Sequence, residues 1–197
     1  MSSNSACPSL FPWNTNQVAP ISFPFTFSIP PRTDLWQKPP STISRTQPTF
    51  YTPLPLSSLC SAAVKVSLTP SALYDQAGIV LLWPRKLERW IKAGIEFVDG
   101  ELKRSVVVTG VGGWSDWSVS GAVEFGEEVE VRIRREGGMG SALVVSCFGD
   151  VVREVQWVFA GEEGEAEEVW VGFYGARPAE VGESLQVRVH SWEVVTC

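Results

Sequence analysis

The chain predicts an all-β fold built as two antiparallel sheets packed face to face. Three observations carry that expectation. Apolar and polar residues alternate at period two in one segment after another, the pattern of strands with one buried face. Valine dominates while alanine and leucine, the better helix formers, are sparse after Tyr74. Short glycine-rich turns join the segments, with no amphipathic helix between them. A length of 197 residues, with 44% apolar residues and nine tryptophans, suffices for one domain with a substantial core.

Residues 1–20, rich in Ser, Asn and Pro, read as an irregular lead with Trp13 as its anchor, and residues 21–197 as a single β-sandwich domain. Phe23, Phe25, Phe27 and Ile29 alternate as a first strand, with Pro24 marking a sheet edge. The prolines of 37–56 read as loop, although Trp36 is expected to pack onto the sandwich. Leu59–Leu68 turns Val64, Val66 and Leu68 to one side and Lys65 and Ser67 to the other.

The stretch from Tyr74 to Ser118 is central. In Trp90–Val98, parity sends Ile91, Ala93, Ile95 and Phe97 to the core and Lys92, Gly94 and Glu96 to the opposite face. Ile79, Leu81, Val106 and Val108 join the core by the same rule. Five alternating segments follow: Val123–Arg135, Ser141–Phe148, Val152–Phe159, Glu168–Tyr174 and Ser184–Val195.

Charge and cysteines exclude several function classes. A net charge of -6 lacks the basic footprint of a nucleic-acid binder. No stretch has the roughly 20 apolar residues of a membrane span, and the N-terminus does not read as a secretion signal. Cys7, Cys60, Cys147 and Cys197 lack metal-ligand spacing and suggest no dense disulfide framework, so the expectation is reduced thiols in a cytoplasmic setting with no metal and no cofactor.

The motifs TDLW (33–36), YDQAG (74–78), KAGIEFVDG (92–100), VVVT (106–109), SDWS (115–118), REVQWVF (153–159), VGFYGARP (171–178) and LQVRVHSWEV (185–194) resemble the domain-of-unknown-function family 1349. Its fungal members include regulation-of-enolase-like proteins. The resemblance implies a concanavalin A-like jelly-roll sandwich, in agreement with the parity reading. The chain departs from the family's pattern in its proline-rich 37–56 segment.

Lectin-like jelly rolls bind sugars on a concave sheet, where aromatic rings cover a pyranose and planar polar groups bond its hydroxyls. Gln76, Trp83, Lys92, Glu96, Asp116 and Trp117 supply those residue types and form the candidate ligand-binding set. Asp75, Lys92, Glu96 and Asp116 read equally as a structural ion network, and Asp116 as a cap on the glycine-rich turn that precedes it. No catalytic residue is expected. Glycoside hydrolysis needs two opposed carboxyls, about 5 to 5.5 Å apart for retention, and Glu96, Asp99 and Glu101 break that parity. Glu163, Glu165 and Glu167 alternate, but in an acidic loop. His190, the single histidine, lies in a strand without a nucleophile motif and reads as structural. The sequence thus points to a non-catalytic lectin-like domain for a carbohydrate or small polar ligand. The alternative is a cytosolic regulatory module with a protein partner, and a hydrolase comes third.

Overall fold

The computed structural model describes residues 9–110, 112–138, 142–160, 167–180 and 182–197. Along them run fifteen strands: β1 (Phe11–Trp13), β2 (Phe25–Ile29), β3 (Leu35–Lys38), β4 (Thr42–Arg45), β5 (Thr49–Pro55), β6 (Leu59–Leu68), β7 (Gln76–Leu82), β8 (Trp90–Val98), β9 (Glu101–Thr109), β10 (Ser115–Val123), β11 (Val129–Arg135), β12 (Leu143–Cys147), β13 (Asp150–Val155), β14 (Glu168–Ala176) and β15 (Leu185–Thr196). A seven-stranded sheet has the order β1-β5-β14-β7-β8-β9-β10, and a six-stranded sheet the order β13-β12-β11-β6-β15-β2. All pairings within them are antiparallel. This is the two-sheet sandwich that parity predicts and the concanavalin A-like jelly roll that the family resemblance implies. No helix among the described residues is long and apolar enough to cross a membrane.

The core between the sheets is set by strand parity. Ile79, Leu81, Ile91, Ile95, Val106 and Val108 are buried there against Val64, Val131, Val145, Val171 and Val189 from other strands, and the half-buried Phe97 packs against them. β2 is a sheet edge, as Pro24 suggests.

Four expectations need correction. First, the proline-rich segment is ordered structure. β3 and β4 form a hairpin, and β5 is an inner strand of the larger sheet. Pro53 and Pro55 sit in β5 opposite Trp170 and Glu168, and between them Leu54 turns into the core, so buried apolar contacts override the proline signal. Within the lead, Phe11–Trp13 pair with β5, and Trp13 meets Trp170 edge-on at 5.8 Å. Second, Val123–Arg135 divides into the end of β10 and β11, with Gly126 at a positive φ in the turn between them. Third, β13 ends at Val155, short of Phe159. Fourth, Cys60 and Cys197 form a disulfide with their Cα atoms 5.4 Å apart, while Cys147 is free and buried. β6 and β15 are neighbours in register up to Leu59 opposite Thr196, which brings cysteines 137 residues apart in sequence together. Cys7, Ser141, Glu163 and Glu165 lie outside the described residues.

Beyond the main core, the outer face of the larger sheet carries a second apolar cluster. Leu35 of the hairpin packs on Val80, Leu82, Trp90, Val107, Tyr174 and Ala176, with Trp13, Trp36 and Trp170 at its border. The hairpin is therefore a strap laid over that face. One end is tied to the exit of β14, where Thr33 N–H donates to Arg177 O at 3.1 Å and Arg177 N–H to Thr33 Oγ1 at 3.0 Å. At the other, Gln37 N–H donates to Ser115 Oγ at 3.0 Å and Gln37 Nε2 to Glu88 O at 2.6 Å.

Candidate functional site

The part of the outer face that the strap leaves uncovered is the candidate site, and strand register builds its floor. Across β7, β8, β9 and β10, one row reads Val80, Lys92, Val107, Trp117. Four residues along, Gln76 lies opposite Glu96. Between these rows Gly78 faces Gly94, and a Cβ on either glycine would be driven into the backbone of the adjoining strand. The floor is bare at its centre, and polar side chains stand around the bare patch.

Those side chains form one connected network. Lys92 Nζ donates to Gln76 Oε1 at 2.8 Å and lies 3.5 Å from Asp34 Oδ1. Gln76 Nε2 donates to Glu96 Oε1 at 3.4 Å, and Tyr174 Oη donates to Gln76 Oε1 at 3.2 Å. Glu96 Oε2 accepts from Ser105 Oγ at 2.6 Å and from Trp117 Nε1 at 2.9 Å. Lys92 and Glu96 are 3% and 5% exposed, so each ionised group is compensated inside the protein. Burial pulls the Lys92 ammonium below its ordinary value, while Asp34 and Glu96 hold it back up. Burial also pushes the Tyr174 phenol well up, reinforced by Glu96 and Asp34.

Walls rise on two sides of this floor. Asp34 and Trp36 of the strap form one. Tyr74 and Trp117 form the other, their rings edge to face at 6.3 Å. Together with Pro178 and Val107 they enclose an open pocket of about 390 Å³ over Gln76, Lys92 and Glu96.

The structure thus gathers Gln76, Lys92, Glu96 and Trp117 of the expected set and excludes two members. Trp83 shares parity with Ile79 and Leu81, so it is fully buried between the sheets, against Trp157 at 5.5 Å and beneath the Arg89 guanidinium. Asp116 has the opposite parity to Trp117. It lies within β10 rather than capping a turn, pairs with Arg153, and lines a separate cleft of about 270 Å³ with Trp114 and Trp157. Trp114 and Trp117 therefore line different clefts. Asp75 is buried in a different network, accepting from the N–H groups of Ser71 and Ala72 and lying 3.5 Å from Arg177 Nε. His190 bonds Ser67 Oγ through Nε2 at 2.8 Å and lies 3.2 Å from Glu128 through Nδ1. Parity on β7 and β8 did not point to Asp34, Trp36, Tyr74, Ser105 or Pro178. Asp34, Trp36, Tyr74 and Pro178 do fall inside the TDLW, YDQAG and VGFYGARP motifs.

Comparison with known proteins agrees with this architecture. A family model described as protein of unknown function (DUF1349) matches residues 15–197. An uncharacterised protein of Emericella nidulans is 34% identical over 180 residues, covering 89% of this chain and 87% of its own. Among solved structures, a functionally unknown protein from Saccharomyces cerevisiae superposes with a TM-score of 0.77 at 23% identity, over 95% of this chain and 96% of that one. An alginate lyase from Alteromonas sp. 272 shares the fold with a TM-score of 0.59 at 10% identity, over 95% and 94% of the two chains. The matched span and the fungal relative agree with the motifs first met in the sequence: the chain belongs to the family of proteins of unknown function DUF1349.

Proposed function

We propose that this chain is a non-catalytic, lectin-like module that holds a carbohydrate or another small polar ligand in the pocket between the strap and the Tyr74–Trp117 pair. The observation that carries the reading is the convergence of three aromatic side chains, Trp36, Tyr74 and Trp117, on a floor presenting an amide, an ammonium and a carboxylate. Aromatic surface takes the apolar face of a pyranose, and a few fixed polar groups orient its hydroxyls. Glycan-array and thermal-shift screening of the purified protein test it. At least one saccharide or small polar compound is expected to raise Tm, and Lys92→Met and Glu96→Gln are expected to abolish that shift while remaining folded. A screen without any such ligand refutes the proposal.

A regulatory protein-interaction module is supported by a different observation: the Lys92–Gln76–Glu96 network satisfies itself without a ligand. The cytoplasmic setting is the expectation for the chain under either reading, and the Cys60–Cys197 disulfide weighs against a reducing compartment. Hydrolysis gains a second carboxylate, Asp34, in the same pocket as Glu96. Against it, both oxygens of Glu96 already accept hydrogen bonds, and Asp34 is engaged by Lys92 and the Leu35 N–H.

A further inference from the structure

We propose that the pocket takes the terminal unit of an uncharged saccharide rather than an internal stretch of a polymer. This rests on the reading of the pocket as a carbohydrate site and specifies its ligand. A polymer lying across the outer face of the sheet needs a channel open at both ends. Here the strap fills the half of the face over Val80, Leu82 and Trp90, pinned at the β14 exit and at Ser115. On the other side, the Trp117 indole reaches from β10 to Glu96 on β8 and meets the Tyr74 ring. A chain passing through would have to displace a tryptophan held by a carboxylate at 2.9 Å and a hydroxyl at 3.2 Å. The volume of about 390 Å³ suits one or two sugar rings.

Charge sets the second part of the inference. Among the described residues, Asp34, Lys92 and Glu96 are the carboxylate and ammonium groups lining the pocket, two against one. The ammonium is already engaged by Gln76 and Asp34. A uronate would bring a third carboxylate to a site with no free cation among the described residues, and like charges placed together disfavour binding. A neutral pyranose meets acceptors at Asp34 and aromatic surface at Trp36 and Tyr74.

Binding is read from intrinsic tryptophan fluorescence with the full chain. The probes are xylose, glucose, galactose, mannose, glucuronic acid and galacturonic acid, then linear neutral oligosaccharides of two to six units, then the matching polymers. Affinity is expected to level off within about threefold beyond two units, polymers to bind in proportion to their chain ends, and each uronic acid to bind at least tenfold more weakly than its neutral counterpart. In Tyr74→Ala, which opens one wall at a half-exposed position, affinity is expected to regain a dependence on chain length. A wild-type affinity that climbs tenfold or more from two to six units overturns terminal recognition alone, as does a uronate that outbinds its neutral counterpart. Absence of binding by every probe overturns the carbohydrate reading itself, so the two failures are distinguishable.

Discussion

Lys92 and Glu96 share a strand face without touching, and the Gln76 amide joins them, its oxygen taking the ammonium at 2.8 Å and its nitrogen reaching the carboxylate at 3.4 Å. A neutral amide thus separates two buried charges, and each charge depends on donors or acceptors from other strands. Replacing Glu96 with leucine would take the acceptor from the Ser105 hydroxyl, leave the Trp117 N–H with Ser105 Oγ and the Gln76 amide with Tyr74 O, and remove one of the two carboxylates that hold the buried Lys92 charged. The expected loss is about 3 to 5 kcal/mol. Glu96→Gln keeps an acceptor in place and is expected to cost about 1 kcal/mol. Denaturant unfolding of the two variants checks this, and equal losses would contradict it.

The lowered ionisation of Lys92 has a pH signature. Between its depressed native value and the ordinary 10.5, the unfolded chain binds more protons than the native one. Stability contributed by this residue therefore rises with pH across that window. The unfolding free energy of the wild type relative to Lys92→Met is expected to increase from pH 7 towards pH 10. Tyr174 acts in the opposite direction, but only above 10.0, where the unfolded phenol ionises first. A difference that stays flat or falls over pH 7 to 10 would show that burial does not penalise the ammonium.

Gly94→Ala places a methyl group against the Ala77 carbonyl oxygen and the Gly78 backbone. The nearest atoms it meets are all β7 backbone, with no flexible side chain to yield, so β7 and β8 must separate. The expected loss exceeds about 4 kcal/mol, the range reserved for a few severe mechanisms. Thermal unfolding followed by near-ultraviolet circular dichroism reads it, since tryptophans 83 and 90 flank these strands.

The Cys60–Cys197 bond closes a loop spanning 137 residues of sequence. Loop-closure entropy of that size is large, and Cys60→Ser is expected to lower stability by about 2 to 5 kcal/mol. Reductant should reproduce the loss in the wild type and leave the variant unchanged. A wild type indifferent to reductant would show that the bond adds nothing.

Trp36 borders the pocket from the strap and is only partly buried. Trp36→Ala is expected to weaken saccharide binding at least tenfold, about 1.4 kcal/mol, with little change in Tm. The pair of measurements matters, because a large fall in Tm would assign Trp36 to holding the strap.

Much of the fold was legible because parity is a local property. Lys92 and Glu96 against Ile91 and Ile95 needed no knowledge of the partner strands. The two misplaced site residues break that same rule: Trp83 falls in step with Ile79 and Leu81, and Asp116 out of step with Trp117. The strap was hidden for a different reason. Its prolines suppress the strand signal, while the burial of Leu35 and Gln37 against β8, β9 and the Glu88 carbonyl is a long-range consequence of the finished sheet. The disulfide was equally invisible, since spacing in sequence says nothing of which strand ends meet.

The separate origins of floor and rim divide the labour of change. Gln76, Lys92 and Glu96 belong to central strands whose alternate residues hold the sandwich together, and Gly78 and Gly94 admit no side chain at all. Asp34, Trp36 and Tyr74 come from a surface hairpin and a loop. Relatives that keep the floor and exchange the rim would inherit the same anchoring chemistry with a different aperture, so divergence in ligand preference should collect in residues 33–45 and around Tyr74 while the strands beneath stay unaltered.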